Sequence, residues 1–228
     1  MKPLILGDGL LGTELYNITG WDVLSRNKDK IDAYKFDDWK NLLLKYDTII
    51  NAIAYTSTYS ASSKHYDVNY KFVVLLSDFC KINNIKLIHI STLYVYLNNT
   101  GVINESTSPL PINNQYGTTK LLADYHIMNS NSNYLIFRSI FKQNPFPYAH
   151  ALSNYYGHFD YVDVIAKIMV TIINNNGVGL INIGTEYKSM ADLAKRTKPD
   201  ILINDTNTPF LSNISLDLSL MNSWLYLK

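Results

Sequence analysis

Short apolar runs alternate with longer amphipathic stretches along most of this chain. Pro3–Leu6, Asp22–Ser25, Thr48–Ala54, Lys86–Ser91, Asn133–Ser139 and Gly179–Ile183 each predict a strand, and Ala33–Phe36 is a further candidate. Leu10–Asn17, Trp39–Tyr46, Ser62–Asn83, Gln115–Met128, Val162–Asn174 and Ser189–Arg196 predict helices. Within Ser62–Asn83, the residues Val68, Phe72, Leu75, Leu76 and Phe79 recur at three- and four-residue spacing and form one apolar stripe. Asn83-Asn84 ends that helix. Ile85-Lys86-Leu87-Ile88-His89-Ile90 follows as a buried strand, in which His89 reads as a core histidine. Strands alternating with helices point to a parallel sheet covered on both faces. Two irregular segments, Asn98–Asn114 and Lys142–Gly157, leave the sheet where the loops of an open α/β fold meet ligands.

Composition narrows the picture. With 228 residues, 47% hydrophobic and 17% charged, the chain can bury one α/β domain with a small appendage. A formal net charge of +1 and no basic patch give a nucleic acid polymer no electrostatic hold. Cys80 is the single cysteine, so it has no intrachain disulfide partner, and its apolar helical setting marks it as core. The ligands of a structural zinc site are missing, and no metal site is expected. No signal peptide is evident, and the apolar stretch Val164–Ile173 is broken by Lys167 and too short to span a bilayer. A cytoplasmic protein without a membrane partner is therefore expected.

The candidate chemistry begins at Gly7-Asp8-Gly9-Leu10-Leu11-Gly12, between the first strand and the first helix. Its spacing fits the G-x-G-x-x-G dinucleotide fingerprint. Gly7 permits the turn, Gly9 admits a pyrophosphate to the backbone, and Gly12 lets helix pack on strand. The helix N-terminus offers free N–H groups to the anion. A hundred residues on, Ser91-Thr92 closes a strand and Tyr116-Gly117-Thr118-Thr119-Lys120 opens a helix. Tyr116 and Lys120, four apart, share a helix face. An ammonium beside a phenol lowers its pKa from the usual value of about 10 and makes it a usable acid–base group. With eighteen tyrosines in the chain, that pair alone is weak evidence.

The combination is more specific, and it resembles the extended short-chain dehydrogenase/reductase family of nucleotide-sugar epimerases, dehydratases and reductases. Asn51-Ala52-Ile53-Ala54-Tyr55-Thr56 resembles the N-A-A-A-Y-T run of its 4-dehydrorhamnose reductase branch. Asp67-Val68-Asn69, Ser91-Thr92-Leu93-Tyr94-Val95-Tyr96 and Tyr116–Lys120 are similar to its V-N, S-T-x-Y-V-F/Y and Y-G-x-x-K elements. Phe159–Val164 and Asn182-Ile183-Gly184 with Ser189 resemble its later motifs. The resemblance implies a Rossmann-like, doubly wound parallel sheet at 1–140, followed by a reduced C-terminal substrate-binding portion at 141–228 interleaved with the last strands. It implies catalysis by Thr92, Tyr116 and Lys120. It further implies cofactor contacts from Gly7, Gly9, Leu10, Leu11, Gly12, Ser25, Arg26, Asp37, Ala52, Ala54, Tyr55 and Asn69, and substrate contacts from Tyr94 and Arg138. Members often pair as homodimers through the helices at 62–83 and 115–128.

Several alternatives stay open on the residues alone. Ser25 and Arg26 end the second strand where NAD sites carry an acid, so NADP is favoured over NAD; Arg26 is otherwise a solvated arginine near Lys28 and Lys30. Asp38 competes with Asp37 for the adenine role. Asn69 either orders a proton relay or packs helix on strand. Arg138 either pairs a diphosphate or belongs to a structural ion pair. Leu93 and Tyr94 stand where the dehydratases carry Asp-Glu, which disfavours loss of water. The reductase branch has Asp-Tyr there, so Leu93 departs from it. The expected function is NADP-dependent reduction of a 4-keto (deoxy)sugar nucleotide. A nucleotide-sugar epimerase and a non-catalytic dinucleotide sensor are the competing readings.

Overall fold

The computed structural model describes residues 1–58, 60–111, 114–205 and 213–226. Residues 112–113 of the first irregular segment, and 206–212 and 227–228 near the C-terminus, lie outside that description. Six parallel strands form the central sheet: β1 (Pro3–Leu6), β2 (Asp22–Leu24), β3 (Thr48–Asn51), β4 (Lys86–Thr92), β5 (Tyr134–Ser139) and β6 (Gly179–Asn182). Their order is β2-β1-β3-β4-β5-β6. The chain reverses direction across the sheet between β1 and β3, and the crevice beyond the strand ends at such a point is where α/β sheets bind ligands.

The period-two alternation of the strands sorts side chains onto two faces. Ile5, Ile50, Ile88, Leu135, Phe137 and Ile181 point to one face. There they meet Leu11 and Leu15 of α1 (Leu10–Thr19) and Ile165, Met169 and Ile172 of α4 (Val162–Asn174). Leu4, Leu6, Ile49, Leu87 and Ile136 point to the other. They meet Phe72, Leu76 and Cys80 of α2 (Phe72–Ile82) and Ala123 and Ile127 of α3 (Gln115–Ser130). Cys80 is fully buried, and desolvation pushes its thiol up to about 12, so it is inert core. A third apolar cluster, with Tyr96, Phe146, Tyr155, Phe159 and Leu193, underlies the C-terminal portion.

The structure corrects four expectations. Ala33–Phe36 is not a strand: Ala33–Lys35 forms a 3-10 turn capped by the Asp32 side chain, and Phe36–Trp39 is one short helical turn. Burial of Phe36 and Trp39 together, with rings 5.1 Å apart edge to face, outweighs the local β preference. The following Lys40–Lys45 is 3-10 rather than α-helical. The 62–83 helix is interrupted: Ser63–Tyr66 is α-helical, Asp67–Lys71 is a π turn, and α2 follows. The extra residue of the π turn rotates the apolar stripe, so Val73 is buried and Leu75 is half exposed. β3 also stops short of Ala54, because the Asn51 side chain takes the Ile53 N–H at 3.1 Å in place of a ladder bond.

Candidate active site

The glycine turn is built as its spacing requires. Gly7 has φ of +100°, and a Cβ there would press on Ile53 at 3.1 Å. A Cβ at Gly12 would fall 2.0 Å from the Gly7 carbonyl, so helix and turn touch only because both are glycine. Gly9 is different: a Cβ there would meet nothing within 4 Å, and the space above it is open. It caps α1 with no side-chain hydrogen bond, which leaves the first amide N–H groups to an anionic ligand. These residues fit a dinucleotide pyrophosphate.

From this turn a cleft of about 410 Å³ runs across the strand ends. Gly9, Leu10, Leu11, Ala52, Ala54, Thr92, Tyr94 and Tyr116 line it. A smaller hollow of about 270 Å³ shares Thr58, Tyr94, Lys142 and Tyr148 with the cleft and continues to Phe146, His150, Tyr155 and Met190. Among the described residues, no carboxylate lines either cavity. Leu93, which departs from the reductase pattern, is buried in the C-terminal cluster and is not among the residues lining the cleft.

Tyr116 reaches the cleft from the first turn of α3. Asn114 starts that helix, its Oδ1 accepting the Gly117 N–H at 2.7 Å. Gly117 is obligatory, because a Cβ there would sit 2.7 Å from the Tyr94 carbonyl oxygen. The Tyr116 ring then lies edge-on to Tyr94, 5.8 Å away. Thr92 ends β4, and its Oγ1 accepts the Tyr94 N–H at 3.2 Å. Its hydroxyl is placed to favour the ionised form of the Tyr116 phenol. Burial raises the Tyr116 pKa to about 12; the Thr92 bond lowers it, and Asp124 adds to the rise.

Lys120 shares the helix face of Tyr116, as the four-residue spacing suggested, but points into the sheet. It is buried, and its Nζ donates to the Ile90 carbonyl oxygen at 2.5 Å and lies 3.1 Å from His89 Nε2. Burial lowers its pKa to about 8, against an opposing pull from Asp124. The expected depression of the Tyr116 pKa by Lys120 is therefore absent. The amine is turned into the sheet, and desolvation dominates both groups.

Other predicted residues stand behind the cleft. Asn69, in the π turn, is buried; its Oδ1 accepts the Tyr55 N–H at 2.8 Å and its Nδ2 donates to the Tyr55 carbonyl at 3.0 Å. It holds the Ala52–Tyr55 loop, which is the packing role. Ser25 is buried at the end of β2: its Oγ accepts from Lys28 N and its N–H donates to Asp29. Arg26 is exposed on the adjoining turn. Asp37 is on the surface beside Lys40, with which it pairs, and outside the cleft lining. Arg138 is withdrawn from any ligand: its Nε bonds Asp124 at 2.9 Å and a terminal nitrogen bonds the Tyr96 hydroxyl at 2.5 Å. Of its two roles, the structure shows the ion pair.

Sequence reasoning missed Lys142, Tyr148 and Ser139 in the cleft. Lys142 follows β5 in a two-residue strand paired with Asp160–Tyr161, and its ammonium sits 5.5 Å from the Tyr148 ring centre. Among the described residues it forms no salt bridge, and burial lowers its pKa. Its position in a proline-rich irregular segment was the only available signal. The Asn98–Asn114 segment contributes nothing described to the cleft; its Glu105 instead accepts the Asn182 N–H at the end of β6.

Among the described residues, no helix is long and apolar enough to cross a membrane, and no cluster of metal-ligating side chains is present. No match was found among curated proteins. Solved structures similar in fold include a hypothetical dTDP-4-dehydrorhamnose reductase from Sulfolobus tokodaii, at a TM-score of 0.82 and 24% identity, covering 100% of this chain and 96% of that one. A dTDP-4-dehydrorhamnose reductase from Bacillus anthracis in complex with NADP gives 0.81 and 18%, over 100% and 93% of the two chains. UDP-glucuronic acid 4-epimerase from Bacillus cereus in complex with NAD gives 0.80 and 20%, over 100% and 91%. These likenesses establish a Rossmann-like fold. The profile of the RmlD substrate binding domain matches residues 1–167, and the chain belongs to that family.

Proposed function

We propose that this protein is an NADP-dependent reductase of a 4-keto (deoxy)sugar nucleotide, with Tyr116 as proton donor. The observation that carries the reading is that Thr92 and Tyr116, a phenol whose pKa burial raises to about 12, line one cleft that begins at an open glycine turn. NADPH, when bound, supplies the hydride. Gly9 and the first amides of α1 would hold its pyrophosphate, and Ala52 and Ala54 would flank it. Thr92 would orient the substrate carbonyl oxygen, and Tyr116 would protonate it as negative charge develops there. Lys142, which lines both cavities, would face the diphosphate, with Tyr148 and Tyr155 against the rest of the nucleotide. Among the described residues, neither cavity offers the carboxylates that elimination of water needs. Arg26, exposed at the end of β2, would select the 2′-phosphate. Residues 1–140 would form the cofactor portion and 141–228 the substrate portion.

The test follows nicotinamide absorbance with a panel of 4-keto and 4-hydroxy sugar nucleotides. Stoichiometric loss of NADPH supports reduction. Product without net cofactor consumption would make the protein an epimerase, and cofactor binding without turnover would make it a sensor.

A further inference from the structure

Among the described residues, Ser77, Asp124, Asn131, Ser139 and Asn182 hold buried side-chain polar atoms without a hydrogen-bond partner. Of these, only Ser139 lines the cleft. A buried hydroxyl left unpaired carries an uncompensated desolvation penalty. Ser139 ends β5, is 3% exposed, and is the register partner of Thr92 at the end of β4. Period-two alternation puts Ser139 on the face of Phe137, opposite Arg138, and Thr92 on the face of Ile88, opposite Ser91. The two hydroxyls therefore stand side by side on one face of the sheet, at the strand ends. Thr92 Oγ1 already accepts the Tyr94 N–H, and Ser91 Oγ donates to Asp124. Ser139 Oγ is the uncommitted member of the three. Leu11, Ile90 and Ile140 give the same cleft apolar walls.

We propose that Ser139 Oγ binds the carboxamide of the nicotinamide ring and fixes which way that ring lies in the cleft. This rests on the dinucleotide reading given above. Nicotinamide is a flat, largely apolar ring with one strongly hydrogen-bonding substituent. The cleft offers apolar side chains and one free buried hydroxyl beside Thr92. The carboxamide supplies the partner that Ser139 lacks, and a hydroxyl can serve either end of it, accepting from the amide N–H or donating to the carbonyl. Thr92 is then left to the substrate oxygen. A ring tethered through its carboxamide cannot turn over about its bond to ribose, so Ser139 restricts which ring face meets the substrate.

Calorimetric titration of the native protein and of Ser139→Ala reads this contact with no turnover. NADPH is compared with 2′-phospho-ADP-ribose, the same molecule without the nicotinamide ring. The variant should bind NADPH about 2–10-fold more weakly and 2′-phospho-ADP-ribose as before. Without ligand, Ser139→Ala should melt no lower than the native protein, because it removes a hydroxyl that has no partner. An equal loss for both ligands, or no loss for NADPH, overturns the proposal. So does a ligand-free variant that melts lower, since Ser139 would then be bonded within the protein. NADH with ADP-ribose repeats the comparison and removes any dependence on the 2′-phosphate. A native protein that binds neither dinucleotide overturns both readings. The expected split between ligands, in a protein that reduces no sugar nucleotide, sinks the functional reading alone.

Discussion

Replacing Lys120 with methionine should change the pH dependence of stability more than stability itself. The side chain is almost completely buried, and burial lowers its pKa from 10.5 to about 8. At about 1.4 kcal/mol per pH unit, that fall corresponds to roughly 3 kcal/mol against the charged form in the fold. The sign follows from the proton count. Below about pH 8 both folded and unfolded chains hold the proton, and the full penalty applies. Between about 8 and 10.5 the folded chain has shed it and the unfolded chain has not, so stability rises with pH. Methionine has no such term. It leaves the Ile90 carbonyl oxygen without its Lys120 donor, a cost of about 1–3 kcal/mol that is the same at every pH in this range. Urea unfolding of both proteins from pH 7 to 10 measures the difference. Lys86 and Lys142, also lowered by burial, cancel in that comparison. Lys120→Met should lose roughly 2–3 kcal/mol relative to the native protein as pH rises from 7 to 10. A gap that stays constant across the range would refute the buried, low-pKa amine.

Four further outcomes are expected. Tyr116→Phe should bind NADPH as before by fluorescence titration and lose about 10²–10⁴-fold in kcat; unchanged turnover would remove Tyr116 from the mechanism. Arg26→Ala should weaken NADPH much more than NADH, and equal effects would show that Arg26 does not read the 2′-phosphate. Gly117→Ala drives a methyl to 2.7 Å from the Tyr94 carbonyl; it should lower stability by about 1–3 kcal/mol and activity with it, whereas a thermally unchanged, active variant would contradict the close approach. If two copies pair through α2 and α3, which expose Leu75 and Tyr125, Leu75→Glu with Tyr125→Glu should halve the mass seen by light scattering. A native protein that is already monomeric would end that idea.

The sheet was legible because its signal is local. Alternation in Ile49-Ile50, Leu87-Ile88 and Leu135–Phe137 sends successive side chains to opposite faces, and no distant contact is needed to read it. Ala33–Phe36 was misread because its helical turn is decided by Phe36 and Trp39 packing on Phe72, a residue far along the chain. The glycine turn and the Thr92–Tyr116 pair were legible through spacing and order. Burial was not. Arg138 and Asp37 are both charged residues in plausible motif positions, yet one lies within the sheet beside Asp124 and the other lies in solvent beside Lys40. Lys142 was missed because its place follows from the β5 strand running one step past Ile140 to pair with Asp160–Tyr161, which no local pattern records.

Helix α3 explains why the motif's spacing was right and the electrostatics inferred from it were not. Tyr116, Lys120 and Asp124 follow one another at four-residue intervals along a single stripe, but the stripe descends into the protein. Tyr116 lines the cleft, Lys120 meets the strand carbonyl of Ile90, and Asp124 is fully buried against Arg138 and Ser91. Each step inward favours the neutral form of any group without a partner. Asp124 pairs with Arg138, whereas burial lowers the Lys120 pKa to about 8. Burial likewise raises the Tyr116 pKa to about 12.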